Sequence, residues 1–236
     1  MILLTYVEYY KYMARAQRID VGGILYHVIN RANARMRIFD ADKDYQLFEV
    51  TLAEAKELTD MRIVSYCIMP NHWHLVVYPK KDGDLQKFMG WLTMTHTRRW
   101  HIAHKTIGSG HLYQGRYKSF LVQTNDYFVQ LCKYVERNPL RARLVKRAEQ
   151  WKWSSLWLRE NGTQEQKKLL SKWPTGIPDD YLTYVNEPEK DDELETIQYS
   201  INRGKPYGRE QWTNRMIDRF SLESTIRNPW RPRKRS

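Results

Sequence analysis

The sequence predicts an α+β fold: a ferredoxin-like split βαβ unit, with an antiparallel sheet and helices on one face, followed by a smaller irregular or helical C-terminal subdomain. Two observations predict this fold. Segments with strand character and segments with apolar residues at helical spacing follow one another in the order β-α-β-β-α-β, closed by a further helix. Beyond Glu149 the sequence becomes tryptophan-rich and irregular, which indicates a change of organisation.

The first half of the unit holds three predicted strands and one helix. The apolar run 24–29 follows two glycines and has strand character. A helix is expected after Asp40 or Asp42, either of which can cap it, because apolar residues then recur every three or four positions. Two more strands, 63–68 and 73–78, flank a proline that favours a turn over a central strand position.

The second half of the unit holds two helices and the fourth strand. A helix is expected to begin at Gly83-Asp84, and a glycine-rich loop then leads to a short strand at 119–123. The third helix is capped near Thr124 or Asn125 and is expected to stop at Asn138-Pro139. We therefore divide the chain into four parts: an N-terminal extension (1–20), the split βαβ unit (21–149), a C-terminal subdomain (150–225) and a basic tail (226–236).

Composition points to a nucleic-acid partner. The chain has 39 Lys+Arg against 27 Asp+Glu, a net charge of +12, and 13% aromatic residues on which unpaired bases could stack. A chain with 42% hydrophobic residues can bury a core, so disorder is excluded, and its apolar runs are too short to cross a bilayer. Cys67 and Cys132 lie among apolar neighbours outside any CxxC motif, which favours buried reduced thiols and a cytoplasmic, nucleoid-associated location.

His72 and His74 are the first candidate site residues. They lie two apart in a predicted strand and therefore project from the same face, so one cation could contact both. The bulky apolar residues Trp73, Leu75 and Val77 take the opposite face and can anchor it to the core. A histidine pair of this kind also arises by chance, so the pair alone does not establish a metal site.

The third helix supplies the other candidate residues. Its buried stripe is expected to be Phe128, Leu131, Cys132 and Val135, at spacings of three, four and seven. Tyr127, Tyr134 and Asn138 then fall on one flank, at the border of the core. From the helix alone, either tyrosine could be a packing residue and Asn138 a helix terminator.

Taken together, these motifs closely resemble those of the HUH single-tyrosine nucleases, and specifically the REP-associated tyrosine transposases. The resemblance covers roughly Ala14 to Trp157. The segments that carry it are Met69-Pro70-Asn71-His72-Trp73-His74-Leu75, Gly115-Arg116-Tyr117-Lys118-Ser119 and Tyr134-Val135-Glu136-Arg137-Asn138-Pro139-Leu140-Arg141-Ala142, with Gly23 through Arg31 and Trp153-Ser154-Ser155 in support.

The resemblance implies a reaction and a set of site residues. Tyr134 would attack a phosphodiester to give a 5′-phosphotyrosine and a free 3′-hydroxyl. His72, His74 and Asn138 would hold one divalent metal ion, Mg²⁺ or Mn²⁺, although imidazole ligands on chemical grounds favour Mn²⁺ or Zn²⁺ over Mg²⁺. Tyr127 is the rival nucleophile. His27 on the first strand could assist, but an ordinary sheet histidine is the favoured interpretation.

The same resemblance implies a single-stranded or hairpin DNA substrate of the repetitive palindromic type, whereas the short apolar runs indicate no membrane partner. It leaves a monomer and a homodimer equally open. The basic residues expected to contact DNA are Arg31, Arg35, Arg37, Arg98, Arg99, Arg116 and Lys118, with Arg231, Arg233, Lys234 and Arg235 in the tail.

Two other functions compete with this one. A non-catalytic hairpin-binding protein could keep the fold, but it would have no need of two histidines beside a tyrosine. A hydrolytic zinc enzyme could use His72 and His74, but the sequence shows no evident third ligand at a suitable spacing and no general base.

Overall fold

The computed structural model describes residues 18–227, so most of the predicted extension and the tail residues Arg231, Arg233, Lys234 and Arg235 lie outside the described residues. The strands are β1 (Leu25–Arg31), β2 (Arg62–Met69), β3 (His72–Tyr78) and β4 (Lys118–Val122). The helices of the sheet domain are α1 (Asp42–Thr59), α2 (Asp84–Ala103), α3 (Asp126–Glu136) and α4 (Asn138–Arg141). The later helices are α5 (Ser155–Asn161), α6 (Gln164–Lys167), α7 (Tyr181–Asn186), α8 (Asp191–Arg203) and α9 (Glu210–Phe220), and 3₁₀ turns cover Asn33–Arg35, Ala148–Gln150 and Glu223–Thr225.

The four strands form one sheet in the order β2-β3-β1-β4, and every neighbouring pair is antiparallel. Two interleaved β-α-β crossovers produce this order. The first crossover joins β1 to β2 with β3 between them, and the second joins β3 to β4 with β1 between them. The predicted fold class is confirmed.

Helices α1 and α2 cover one face of the sheet. Trp73, Leu75 and Val77 of β3 pack there with Phe48 of α1 and Phe88 of α2, all fully buried. The predicted alternation along β3 is therefore observed, and it turns His72 and His74 toward the other face.

Helix α3 packs on that other face, as do parts of the C-terminal segment. Its predicted stripe of Phe128, Leu131, Cys132 and Val135 is fully buried with residues of the sheet. The Asn125 side chain caps the helix by accepting a hydrogen bond from the Tyr127 amide (3.2 Å). Helix α3 ends at Glu136, but the chain does not leave the helical conformation at Asn138-Pro139. Helix α4 begins at Asn138 instead, because proline is tolerated in a first helical turn, where its missing N–H has no intrahelical partner.

The segment after residue 149 lies along both outer strands of the sheet. The Ile68 amide of β2 donates to the Trp153 carbonyl (2.9 Å), and the Tyr207 amide donates to the Leu121 carbonyl of β4 (2.8 Å). These contacts satisfy edge groups that would otherwise be open to strand addition. The division of the chain into domains stays a prediction, but side chains from beyond residue 149 contribute to the cores on both faces.

Two further observations concern the cysteines and the membrane. Cys67 and Cys132 are buried free thiols, as the sequence predicts. None of the helices between residues 18 and 227 has the length and apolarity that a bilayer crossing requires.

Candidate active site

Three histidines meet on the α3 face of the sheet. The rings of His72 and His74 are 5.1 Å apart between centroids. Nδ1 of His72 lies 2.6 Å from Oδ1 of Asn71, and Nδ1 of His74 lies 2.8 Å from Nε2 of His27. Each Nδ1 therefore has a partner, whereas Nε2 of His72 and of His74 has no hydrogen-bond partner among residues 18–227.

Tyr134 lies beside this group. Its ring stands edge-on to the His74 ring at 5.9 Å between centroids, and its hydroxyl has no hydrogen-bond partner within the described part of the chain. Tyr127, about two helical turns earlier on α3, packs instead against the ring of Tyr207, at 5.0 Å between centroids. Of the two candidate tyrosines, the structure places Tyr134 and not Tyr127 next to the histidines.

Asn138 is held by hydrogen bonds on both sides of its amide. Its Nδ2 donates to the Tyr134 carbonyl (3.1 Å), and its Oδ1 accepts from Nη2 of Arg141 (2.8 Å). The Arg141 guanidinium also lies over the Tyr134 ring, 4.3 Å from its centroid, and forms an ion pair with Glu189. Sequence reasoning did not assign a role to Arg141 or Glu189. Arg141 could have been found from its spacing, because a residue three positions after Asn138 lies on the same side of a helix. Glu189 is 48 residues from Arg141, and no local pattern in the sequence connects the two.

Burial sets the protonation states of the site. It lowers the pKa of His72 to about 4, with the positive charges of Arg31 and Arg141 acting in the same direction, and it lowers the pKa of His74 well below its usual value. Both rings are therefore neutral at pH 7, which is the form that binds a cation. Burial raises the pKa of the Tyr134 phenol, and the Arg141 charge opposes that rise. The phenol accordingly carries its proton at neutral pH.

The buried histidines should make the fold sensitive to acid. Burial lowers the pKa of His96, a residue of α2 that packs edge-on against Phe48 of α1, to about 3. In the unfolded chain this ring takes up a proton near pH 6.5, so the folded state loses stability as the pH falls from 6.5 toward 3. We expect His96→Gln to reduce the slope of unfolding free energy against pH by about 1.4 kcal/mol per pH unit in this range, as measured by urea denaturation between pH 7.5 and 4.5. His111→Gln, at an exposed position, is the control, and an unchanged slope in His96→Gln would contradict the assignment.

The residues fit a divalent cation by their donor chemistry. No group of three or more His, Cys, Asp or Glu side chains placed to hold a metal occurs between residues 18 and 227. The candidate set is instead two imidazoles and one amide: the unpartnered Nε2 atoms of His72 and His74, and Oδ1 of Asn138. That oxygen already accepts from Arg141, but a carbonyl oxygen has a second lone pair.

The predicted DNA-contacting residues differ in their surroundings: three line one groove, two form ion pairs within the protein, and two are exposed. Arg31 lies opposite His72 in the β1-β3 register and lines, with Arg116 and Lys118, a groove of about 650 Å³ beside β4. Arg37 and Arg99 form ion pairs with Asp40 (2.7 Å) and Glu54 (2.8 Å). Arg35 and Arg98 are exposed. Of these residues, Arg31 is the one whose strand register places it beside a candidate-site residue, His72.

A four-stranded split βαβ sheet that brings two histidines to a helix-borne tyrosine is the arrangement expected of the single-tyrosine DNA-processing proteins that the sequence resembles. The family described as "Transposase IS200 like" matches residues 20–138, about half of the chain. The chain belongs to the IS200-like transposase family, and the resemblance inferred from its motifs is confirmed. Its activity is a transposase-like activity on DNA.

Solved structures support the fold. The structure of a REP-associated tyrosine transposase bound to a REP hairpin is similar with a TM-score of 0.53 and 15% identity, covering 70% of this chain and 98% of that chain. A protein of Deinococcus radiodurans R1 assigned as a transposase (TM-score 0.39, 20% identity, 52% and 97% coverage) and tRNA(His) guanylyltransferase of Saccharomyces cerevisiae (0.43, 9%, 77% and 86%) match less well. No curated protein sequence matches the chain.

Proposed function

We propose that this protein is a metal-dependent endonuclease and strand transferase of single-stranded DNA that acts on palindromic hairpins through a covalent 5′-phosphotyrosine. The observation that carries the proposal is the position of the Tyr134 ring, 5.9 Å from the His74 ring and over the same face of the sheet. Membership of the transposase family supports the substrate class, and a phenol hydroxyl without a hydrogen-bond partner among residues 18–227 supports the role of nucleophile.

The reaction is a transesterification. The Tyr134 oxygen forms a bond to the phosphorus as the bond from phosphorus to the 3′-oxygen breaks, and the phenol proton ends on the released 3′-hydroxyl. One phosphodiester replaces another, so rejoining needs no external energy source. Because the phenol is protonated at neutral pH, it must lose its proton as the new bond forms. The Arg141 guanidinium over its ring favours the developing negative charge.

The ion would be held by His72, His74 and Asn138. When bound, a divalent metal neutralises charge on the non-bridging oxygens of the scissile phosphate. Mg²⁺ or Mn²⁺ is proposed from the family, and two imidazole ligands favour Mn²⁺ of the two.

The DNA substrate is proposed from the family and from the charge around the site. The similar REP-associated tyrosine transposase is bound to a REP hairpin in its solved structure. In this chain, Arg31, Arg116 and Lys118 line one groove, and Arg31 lies opposite His72 in the β1-β3 register. Positive charge in this place suits the phosphates of a bound DNA strand.

The test is a search for the covalent adduct. We expect the protein, incubated with end-labelled single-stranded DNA that contains a palindromic hairpin and with Mn²⁺ or Mg²⁺, to give a protein–DNA adduct on a denaturing gel. EDTA should abolish it, and His72→Ala should reduce it at least about 100-fold while hairpin affinity changes less than about threefold. Equal loss of cleavage and binding would make His72 structural.

Two other outcomes would favour the competing functions. Tight hairpin binding without adduct with either metal would favour a non-catalytic hairpin-binding protein. Cleavage without protein on either product would indicate hydrolysis, as a zinc hydrolase would give.

A further inference from the structure

We propose that His27 is a positioning residue of the metal site: by accepting a hydrogen bond at Nε2 from Nδ1 of His74, it holds His74 in the tautomer whose Nε2 lone pair is free for the ion. This inference rests on the proposed function and assigns a role to a residue that sequence reasoning favoured as an ordinary sheet histidine. The role is one of orientation, because fully buried His27 contacts His74, the residue that would bind the metal ion.

The two rings are in direct contact and are excluded from solvent. Nε2 of His27 and Nδ1 of His74 are 2.8 Å apart, and the two side chains are almost wholly buried. Two N–H groups cannot face each other at this distance, so one nitrogen donates and the other accepts. A neutral imidazole carries a single ring proton, so the ring that donates in this contact keeps its other nitrogen unprotonated.

The two possible arrangements differ in what His74 offers to the site. If His27 donates from Nε2, the remaining His74 proton sits on Nε2 and blocks the lone pair that a metal needs. If His74 donates from Nδ1, its Nε2 lone pair is free, and the His27 proton moves to Nδ1. Only the second arrangement makes His74 a ligand.

The surroundings of His27 show that its contact with His74 is its polar function. Nδ1 of His27 is buried and has no hydrogen-bond partner in the described part of the chain. The ring packs against Phe120 at 4.8 Å between centroids, and a simple packing role would be served equally by an apolar side chain. A buried unpartnered nitrogen costs stability, so an imidazole at this position indicates a function for its other nitrogen, the one in contact with His74.

The experiment compares two substitutions with opposite hydrogen-bonding capacity. His27→Phe fills the space but cannot accept a hydrogen bond, whereas the Oε1 atom of His27→Gln can accept one. We expect His27→Phe to weaken Mn²⁺ affinity about 10- to 100-fold, measured on the full chain without DNA from the electron paramagnetic resonance signal of free Mn²⁺, and His27→Gln to recover most of the loss. His96→Phe, a matched replacement of a buried histidine outside the site, should leave Mn²⁺ affinity unchanged.

A second measurement does not depend on the variants folding. Nitrogen-15 spectra of histidine-labelled wild-type protein with Mg²⁺ should show the His74 proton on Nδ1 and the His27 proton on Nδ1. A His74 proton on Nε2 in the metal-loaded protein, or unaltered Mn²⁺ affinity in a folded His27→Phe, would overturn the inference while leaving the proposed function intact. Absence of Mn²⁺ and Mg²⁺ binding by the wild-type protein would instead refute the metal role in the proposed function, and the inference with it.

Discussion

Replacing Tyr134 with phenylalanine is expected to eliminate the covalent adduct and reduce strand cleavage by at least about 10³-fold, because the substitution removes the only atom that forms the bond to phosphorus in the proposed reaction. The fold should be preserved, since the Tyr134 hydroxyl has no hydrogen-bond partner in the described part of the chain and the ring can keep its edge-on contact with His74. Hairpin affinity should change less than about threefold. The measurements are single-turnover cleavage of hairpin DNA and a binding titration under the same conditions.

Tyr127→Phe is the matched control on the same helix. Its ring packs against Tyr207, away from the histidines, so cleavage should stay within about threefold of the wild-type rate. Loss of the adduct in Tyr127→Phe with its retention in Tyr134→Phe would show that the other tyrosine is the nucleophile. Mass spectrometry of the adduct peptide identifies the modified residue independently.

Replacing Glu136 with glutamine is expected to lower the free energy of unfolding by about 3–5 kcal/mol, because it removes one partner of a buried ion pair. Glu136 is fully buried and forms an ion pair with Arg159 of α5. It also accepts hydrogen bonds from Ser65 of β2 (2.9 Å) and Tyr181 of α7 (2.8 Å). Neutralising it leaves the largely buried Arg159 charge without its counter-ion.

Urea denaturation monitored by tryptophan fluorescence measures this effect. Glu160→Gln, at an exposed neighbouring position, is the control and should shift the unfolding free energy by no more than about 0.5 kcal/mol. The double substitution Glu136→Met with Arg159→Met should be less destabilising than Glu136→Gln, because it removes both charges together. A loss below about 1 kcal/mol in Glu136→Gln would show that the pair does not hold α3 in place.

The Glu136 cluster also bears on the orientation of Tyr134. Both residues lie on α3, and Glu136 points to the β2 side while Tyr134 points to His74. Ser65, Ser155 and Tyr181 therefore fix the rotation of α3 about its axis, and with it the direction of the phenol. The C-terminal segment contributes two of these three contacts.

How much the sequence could predict is clearest along β3. The alternation of Trp73, Leu75 and Val77 with the histidines depends only on the two-residue period of a strand, so the faces could be assigned without coordinates. The stripe of α3 was equally predictable from its 3.6-residue period. The end of that helix was less so, because a proline at the second position of α4 is compatible with continued helical conformation.

Contacts between distant segments could not be predicted in the same way. His27 reaches His74 because β1 lies between β3 and β4 in a particular register, and Glu189 reaches Arg141 across 48 residues. Neither contact can be predicted from the periodicity of residues along a single strand or helix. The division into domains could also not be judged locally, since Trp153 and Tyr207 pair with opposite edges of the same sheet.

By itself, the sequence determined the class of fold, the strand face that carries His72 and His74, and the family to which the chain belongs, because local periodicity and motif spacing are encoded in neighbouring residues. Only the tertiary structure decided that Tyr134 rather than Tyr127 faces the histidines, that His27 contacts His74, and that Arg141 and Glu189 border the site. These contacts depend on strand register and helix rotation, which are set by packing among segments far apart in the chain.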